Sequence, residues 1–163
     1  MNLKDTIRSV PDFPKKGILF RDITTLVKEP EALHCLIDTF TAELKDKKID
    51  LVVGPEARGF VLGSALAYAL GAGFVLARKP GKLPCKTLRH EYALEIDAEA
   101  IRPGMRIVIV DDLLATGGTA LATAKLVEQA GGEVAAIRFA MELTDLDGRS
   151  VLEGYDVGAV IQY

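Results

Sequence analysis

The chain has 163 residues, is 49% hydrophobic and 26% charged, and carries a net charge of -3. That length and composition suit one globular domain with a sizeable core. With a pI near 5.4, a general nucleic-acid binder is not expected, because such proteins need a basic surface to displace counterions.

Met1 to Val10 carries Lys4, Asp5 and Arg8 and lacks the apolar core of a signal peptide. A cytoplasmic protein without a membrane partner is therefore expected. Leu33, Leu36, Ile37, Phe40 and Leu44 recur every three or four positions, which predicts one face of an amphipathic helix starting near Pro30 and Glu31. Leu51 to Val53 predicts a short buried strand, and Gly54 to Gly59 a turn. Phe60 to Leu70 is apolar almost all round, with Gly63, Ser64, Ala65 and Ala67 permitting close packing, so a buried helix is expected. This apolar stretch, extended to Gly73, is too short to cross a bilayer.

Phe74 to Ala77 predicts another strand, and Arg78 to Arg102 is expected to be irregular. Ile107 to Val110 is the strongest strand pattern. Asp111 to Thr119 is expected as a loop and Thr119 to Ala130 as a helix, stopped by Gly131 and Gly132. Val134 to Ala140 and Val157 to Ile161 complete the strands. Cys35 and Cys85 lie far apart without metal-like spacing and are expected to be free thiols. No repeat, low-complexity tract or linker divides the chain, so residues 1–163 are expected to form one domain. Alternating helices and continuous apolar strands predict an α/β fold with a mostly parallel sheet covered on both faces. In such sheets ligands bind at the carboxyl ends of the strands, and each chemically interesting loop follows a strand.

The most specific segment is Val108-Ile109-Val110-Asp111-Asp112-Leu113-Leu114-Ala115-Thr116-Gly117-Gly118-Thr119. A buried strand delivers two carboxylates, and a small-residue loop then opens a helix. Helix-start amides and the helix dipole favour an anion. Gly117 and Gly118 let the backbone wrap a phosphate, and Thr116 and Thr119 add hydroxyl donors. Asp111 and Asp112 suit sugar hydroxyls, so phosphate and vicinal hydroxyls together suggest a ribose 5-phosphate. A nucleotide hydrolase would need a Gly-x-x-x-x-Gly-Lys-Ser/Thr loop, and none is present; a Gly-x-Gly-x-x-Gly dinucleotide fingerprint is also missing. Arg58, on a Gly-bounded turn after the first core strand, suits a diphosphate. Arg78, Lys79 and Lys82 place three cations after the next strand.

This segment resembles the phosphoribosyl pyrophosphate motif of the type I phosphoribosyltransferases. Pro14-Lys15-Lys16-Gly17-Ile18-Leu19-Phe20-Arg21-Asp22-Ile23-Thr24, Val53-Gly54-Pro55-Glu56-Ala57-Arg58-Gly59-Phe60 and Arg78-Lys79-Pro80-Gly81-Lys82-Leu83-Pro84 narrow the resemblance to members that use adenine. It runs over nearly the whole chain, in order. It implies a parallel twisted sheet flanked by helices, a small N-terminal base-binding hood, a mobile loop and a homodimer. The implied reaction forms AMP from adenine and phosphoribosyl pyrophosphate with Mg2+, held mainly by substrate oxygens. The resemblance assigns Ala115, Thr116, Gly117, Gly118 and Thr119 to the 5-phosphate. It assigns Arg58, Arg78, Lys79 and Lys82 to pyrophosphate, and Leu19, Phe20, Arg21 and Leu143 to the base. In related enzymes the Arg58 loop carries a non-proline cis peptide, so one is expected between Glu56 and Ala57.

Glu95 matches a family glutamate near the purine imidazole and is the expected proton-moving group, beside Asp111 and Asp112 as catalytic residues. The pattern departs here. Glu91-Tyr92-Ala93-Leu94-Glu95 runs straight into Ile96-Asp97-Ala98-Glu99-Ala100, about seven residues shorter than the family pattern, a large change for one loop. Either the loop is short in this protein, or the natural protein carries a stretch here that this sequence lacks. Three alternatives to the adenine reading remain: use of another purine base, a regulator that keeps the ribose-phosphate site, and a catalytically impaired relative.

Overall fold

A computed structural model describes residues 1–91 and 94–163. The chain opens on a 3-10 turn and an antiparallel hairpin of β1 (Arg8–Pro11) and β2 (Leu19–Asp22), followed by the short α1 (Thr24–Val27) and by α2 (Pro30–Leu44). Pro30 stands in the first turn of α2, where its missing N–H costs nothing. The alternating unit then runs β3 (Leu51–Pro55), α3 (Arg58–Leu70) and β4 (Gly73–Ala77), with Gly71 closing α3 in a left-handed conformation. After a second hairpin, β5 (Thr87–His90) and β6 (Leu94–Asp97), come β7 (Arg106–Leu114), α4 (Gly118–Gln129), β8 (Glu133–Glu142) and β9 (Val157–Gln162). The central sheet has the order β4-β3-β7-β8-β9, and all four of its pairings are parallel.

Adjacent residues on its strands enter opposite cores. Val52, Val108, Val110, Ala136 and Ala140 pack with α2 and α3. Val53, Ile107, Ile109, Ile137 and Phe139 pack with α4 and with Leu94 and Ile96 of β6. A sheet buried on both faces needs apolar residues at every position, which explains the unbroken runs in the sequence. Each fully buried aliphatic side chain contributes about 1.5–3 kcal/mol.

Two expectations need correction, and one element was missed. Residues 78–102 are not wholly irregular, because β5 and β6 pair there from Thr87↔Asp97 to His90↔Leu94. Leu94-Glu95-Ile96-Asp97 does alternate, but four residues amid charged neighbours give a weak signal. The expected loop from Asp111 begins late, since β7 continues to Leu114 beside β8. There the carboxylates interrupt the apolar run without ending the strand. The β1–β2 hairpin went unrecognised because β1 holds one apolar side chain between polar residues and a proline.

Candidate functional site

The chain leaves β3 toward β4 on one side, while β7 lies on the other side of β3. Such a reversal opens a crevice beyond the carboxyl ends of the two strands. A cleft of about 270 Å³ occupies it, lined by Glu56 to Arg58 after β3, by Asp111 to Ala120 at the end of β7 and start of α4, and by Phe139. The Glu56–Ala57 peptide is cis, as the resemblance implied.

The two carboxyls meet different surroundings. Asp112 is only 3% exposed and accepts a charge-assisted bond of 2.5 Å from Arg58 Nε. The Asp112 N–H donates to Asp111 Oδ1 at 2.8 Å. Burial, and then the neighbouring Asp112 charge, push the Asp111 carboxyl well above the usual carboxylate range. Gly59 lets α3 start against this pair, since a Cβ there would stand 3.2 Å from Asp111 Oδ1 and 2.9 Å from the Pro55 ring. Gly117, with φ of 86°, turns the chain into α4, a conformation that suits glycine. The first amides of α4 have no partner within the helix, so this end of the cleft is built for an anion.

A second cavity, about 480 Å³, adjoins the cleft. Val10, Phe13 and Phe20 of the N-terminal hairpin line it, with Arg8, Asp22 and Thr24. Arg58 lines both cavities, its guanidinium carbon 5.6 Å from the centre of the Phe20 ring. Phe13 meets Phe20 edge to face at 5.2 Å. Asp22 is held down to about 2, chiefly by the Thr24 hydroxyl and then by Arg8.

The structure thus brings together Arg58, Asp111, Asp112, Ala115, Thr116, Gly117, Gly118 and Thr119, with Phe20 next door. Other expected residues lie outside both linings. Strand alternation turns Leu19 and Arg21 away from the face that carries Phe20. Leu19 is half exposed, and the Arg21 guanidinium lies 3.8 Å from the centre of the Tyr163 ring and bonds Ser9 Oγ. Leu143 follows β8, where its N–H donates to Leu114 O at 2.9 Å. Arg78 and Lys79 reach the cleft only through Glu56, which accepts from the Lys79 N–H at 2.6 Å and stands 3.5 Å from Arg78 Nε. Lys79 and Lys82 are exposed. Glu95 faces Arg89 at 4.0 Å, while its backbone bridges that of Arg78. Arg8, Val10, Phe13, Asp22 and Thr24 of the second lining and two contributors to the cleft went unrecognised. Glu56 was visible only as part of the Arg58 turn, and Phe139 reads in sequence as ordinary strand core. Among the described residues no three His, Cys, Asp or Glu side chains converge as a metal cage.

A model of the phosphoribosyl transferase domain matches residues 26–160, so the chain belongs to that class of protein. Among curated proteins, the adenine phosphoribosyltransferase of Clostridium perfringens is 59% identical, covering 100% of this chain and 99% of the relative. That alignment spans 170 positions against 163 residues here, so seven positions of the relative have no counterpart, a shortfall of the size read after Glu95. A crystal structure of adenine phosphoribosyltransferase from Thermoanaerobacter pseudethanolicus is 54% identical with a TM-score of 0.94, covering 99% of this chain and 98% of the other. The Saccharomyces cerevisiae enzyme, complexed with an imino-altritol bisphosphate and adenine, is 43% identical with a TM-score of 0.92 over 96% and 95% of the two chains. Within the phosphoribosyl transferases, then, the chain belongs to the adenine phosphoribosyltransferase family.

Proposed function

We propose that this chain transfers the 5-phosphoribosyl group of phosphoribosyl pyrophosphate to adenine, releasing AMP and pyrophosphate. One observation carries the reading: a single cleft joins two carboxyls to a helix-start anion cradle, and across Arg58 it meets an aromatic cavity. The adenine in the similar yeast structure supports the choice of base.

In this reading Ala115 to Thr119 hold the 5-phosphate and so fix the sugar far from its reacting carbon. Asp111 and Asp112, side by side at the cleft, accept from the two ribose hydroxyls. The bond from C1 to the pyrophosphate oxygen breaks as adenine N9 attacks C1. Arg58, placed between the cavities, sits where the leaving oxygen gains negative charge. Arg78, Lys79 and Lys82 extend that positive surface, with Glu56 ordering the Arg78–Lys79 backbone. Phe20 offers a face for the purine, and Leu143 and the backbone of Leu19 and Arg21 complete its frame. Glu95 is the proton-moving group near the imidazole, and residues 83–100 shelter the reaction from water.

The donor set fits Mg2+ held mainly by substrate, since two adjacent carboxyls, one engaged by Arg58, leave few protein ligands. When bound, the ion neutralises the diphosphate. The working form proposed is a cytoplasmic homodimer, for which Val61 and the 90% exposed Tyr68 of α3, with Leu76 of the edge strand β4, supply an apolar surface.

The test is AMP formation from adenine and phosphoribosyl pyrophosphate with Mg2+, in the wild type and in Asp112→Asn. The wild type should turn over, and the variant should lose about tenfold or more in kcat/KM. Equal turnover would move the chemistry away from this cleft.

A further inference from the structure

The anion cradle does not stand alone. Behind it runs a turn, residues 144–152, that nothing in the reaction scheme uses. Two glycines allow it to press on the cradle. A Cβ on Gly117 would stand 2.6 Å from Gly148 O and 2.5 Å from Val151 Cγ2. A Cβ on Gly148 would overlap Ala115 O and stand 2.8 Å from Leu114 Cδ1. The turn thus occupies the space that a side chain on Gly117 would need, and the cradle backbone at Ala115 occupies the space that one on Gly148 would need. Gly148 is buried, and its φ is not in the left-handed region, so close approach, not backbone freedom, is what requires glycine at this position.

The turn is itself pinned by its next residue. Arg149 Nε and Nη2 donate to the two oxygens of Glu142, each at 2.8 Å, and Arg149 Nη1 donates to Val157 O at 2.8 Å. Glu142 is 4% exposed and also accepts from Gln162 Nε2 at 3.2 Å. The fork therefore ties the turn to the ends of β8 and β9 at once. A bidentate guanidinium–carboxylate pair has a fixed planar geometry, which sets where Gly148 sits.

We propose that Gly148 and Arg149 are positioning residues for the phosphate cradle: the Arg149–Glu142 fork holds Gly148 against Ala115 and Gly117 and so fixes the backbone that binds the sugar phosphate. The proposal rests on the phosphoribosyl reading of the cleft. It concerns affinity for the ribose-phosphate end of the substrate, with little effect on the base. A shift of about 1 Å in a positioning element costs up to about 100-fold.

The test compares Gly148→Ala, Arg149→Met and Arg149→Lys with the wild type. Its readouts are KM for phosphoribosyl pyrophosphate, KM for adenine, calorimetric binding of ribose 5-phosphate, and melting temperature. Gly148→Ala should weaken ribose 5-phosphate and raise KM for phosphoribosyl pyrophosphate by about tenfold or more, leaving KM for adenine within about twofold. Arg149→Met should move the same two quantities, and Arg149→Lys, which keeps the charge but loses the fork, should recover part of the loss. If Gly148→Ala fails to fold, the Arg149 pair alone decides. Folded variants that bind ribose 5-phosphate as the wild type does would overturn the positioning role. An equal rise in both KM values would also overturn it, because that marks general loosening. A wild type that neither binds ribose 5-phosphate nor forms AMP would instead defeat the phosphoribosyl reading, and the proposal with it.

Discussion

Asp111 and Asp112 are neighbours in sequence, yet their environments diverge, and the consequences can be measured separately. Asp111 sits above its ordinary value of 3.8 because burial disfavours its charge. A carboxyl raised in the folded state stabilises below its unfolded value, and that contribution is lost as pH rises through the folded value. Asp111→Asn should therefore raise the melting temperature at pH 7, with the gain shrinking as pH falls toward 3.8 and absent below it, while kcat/KM drops by about tenfold or more. Asp22 carries the opposite sign. Lowered from 3.8 to about 2, it stabilises above 3.8, and the contribution disappears as pH falls toward 2. Asp22→Asn should cost about 1 kcal/mol at pH 7, allowing for solvent around Arg8, and nothing near pH 2. Arg58→Ala should lower kcat/KM for phosphoribosyl pyrophosphate by about 100-fold, and it should also leave Asp112 buried without its partner. The Asp-Asp string, the glycine loop and Arg58 were legible in the sequence because several residue types with one shared chemistry stand in order. The direction of a side chain was not. Leu19, Phe20 and Arg21 read as one unit, but only Phe20 turns into the cavity, and that alternation depends on a hairpin of two four-residue strands, too short for a clear period-two pattern.

At the level of elements, the central strands and the three long helices were readable from apolar continuity and three-to-four periodicity. Their ends were not, because the carboxyl-terminal portions of β7 and β8 carry Asp111, Asp112 and Glu142, the polar residues that the cleft and its backing turn require. The β5–β6 hairpin is the clearest omission. Its side chains Leu94 and Ile96 are buried in the core beside α4, so the segment bearing Glu95 is docked on one side. Ile96→Ala should cost about 2–4 kcal/mol, readable by denaturant titration, and should lower activity as well because Glu95 and the Arg78 bridge move with it. Unchanged stability would show that the hairpin is not packed as described. Gly54 joins β3 to the start of α3: a Cβ there would stand 2.6 Å from Gly59 O. Gly54→Ala should therefore shift the Glu56–Arg58 turn and reduce turnover.

The whole molecule places its chemistry where the topology reverses. Because β3 is flanked by β4 on one side and β7 on the other, the turn after β3 and the end of β7 face each other across one crevice, and the hairpin at the N-terminus brings Phe20 to the same edge. No helix among the described residues is long and apolar enough to cross a membrane. Sedimentation at micromolar concentration should show a dimer, and Tyr68→Glu should shift it toward monomer. The most direct test of the central claim is a competition: adenine, hypoxanthine, guanine and xanthine at equal concentration with limiting phosphoribosyl pyrophosphate and Mg2+, and the nucleotide products separated. AMP as the predominant product is the expected result. A product mixture led by the nucleotide of another base, or no nucleotide at all, would contradict it.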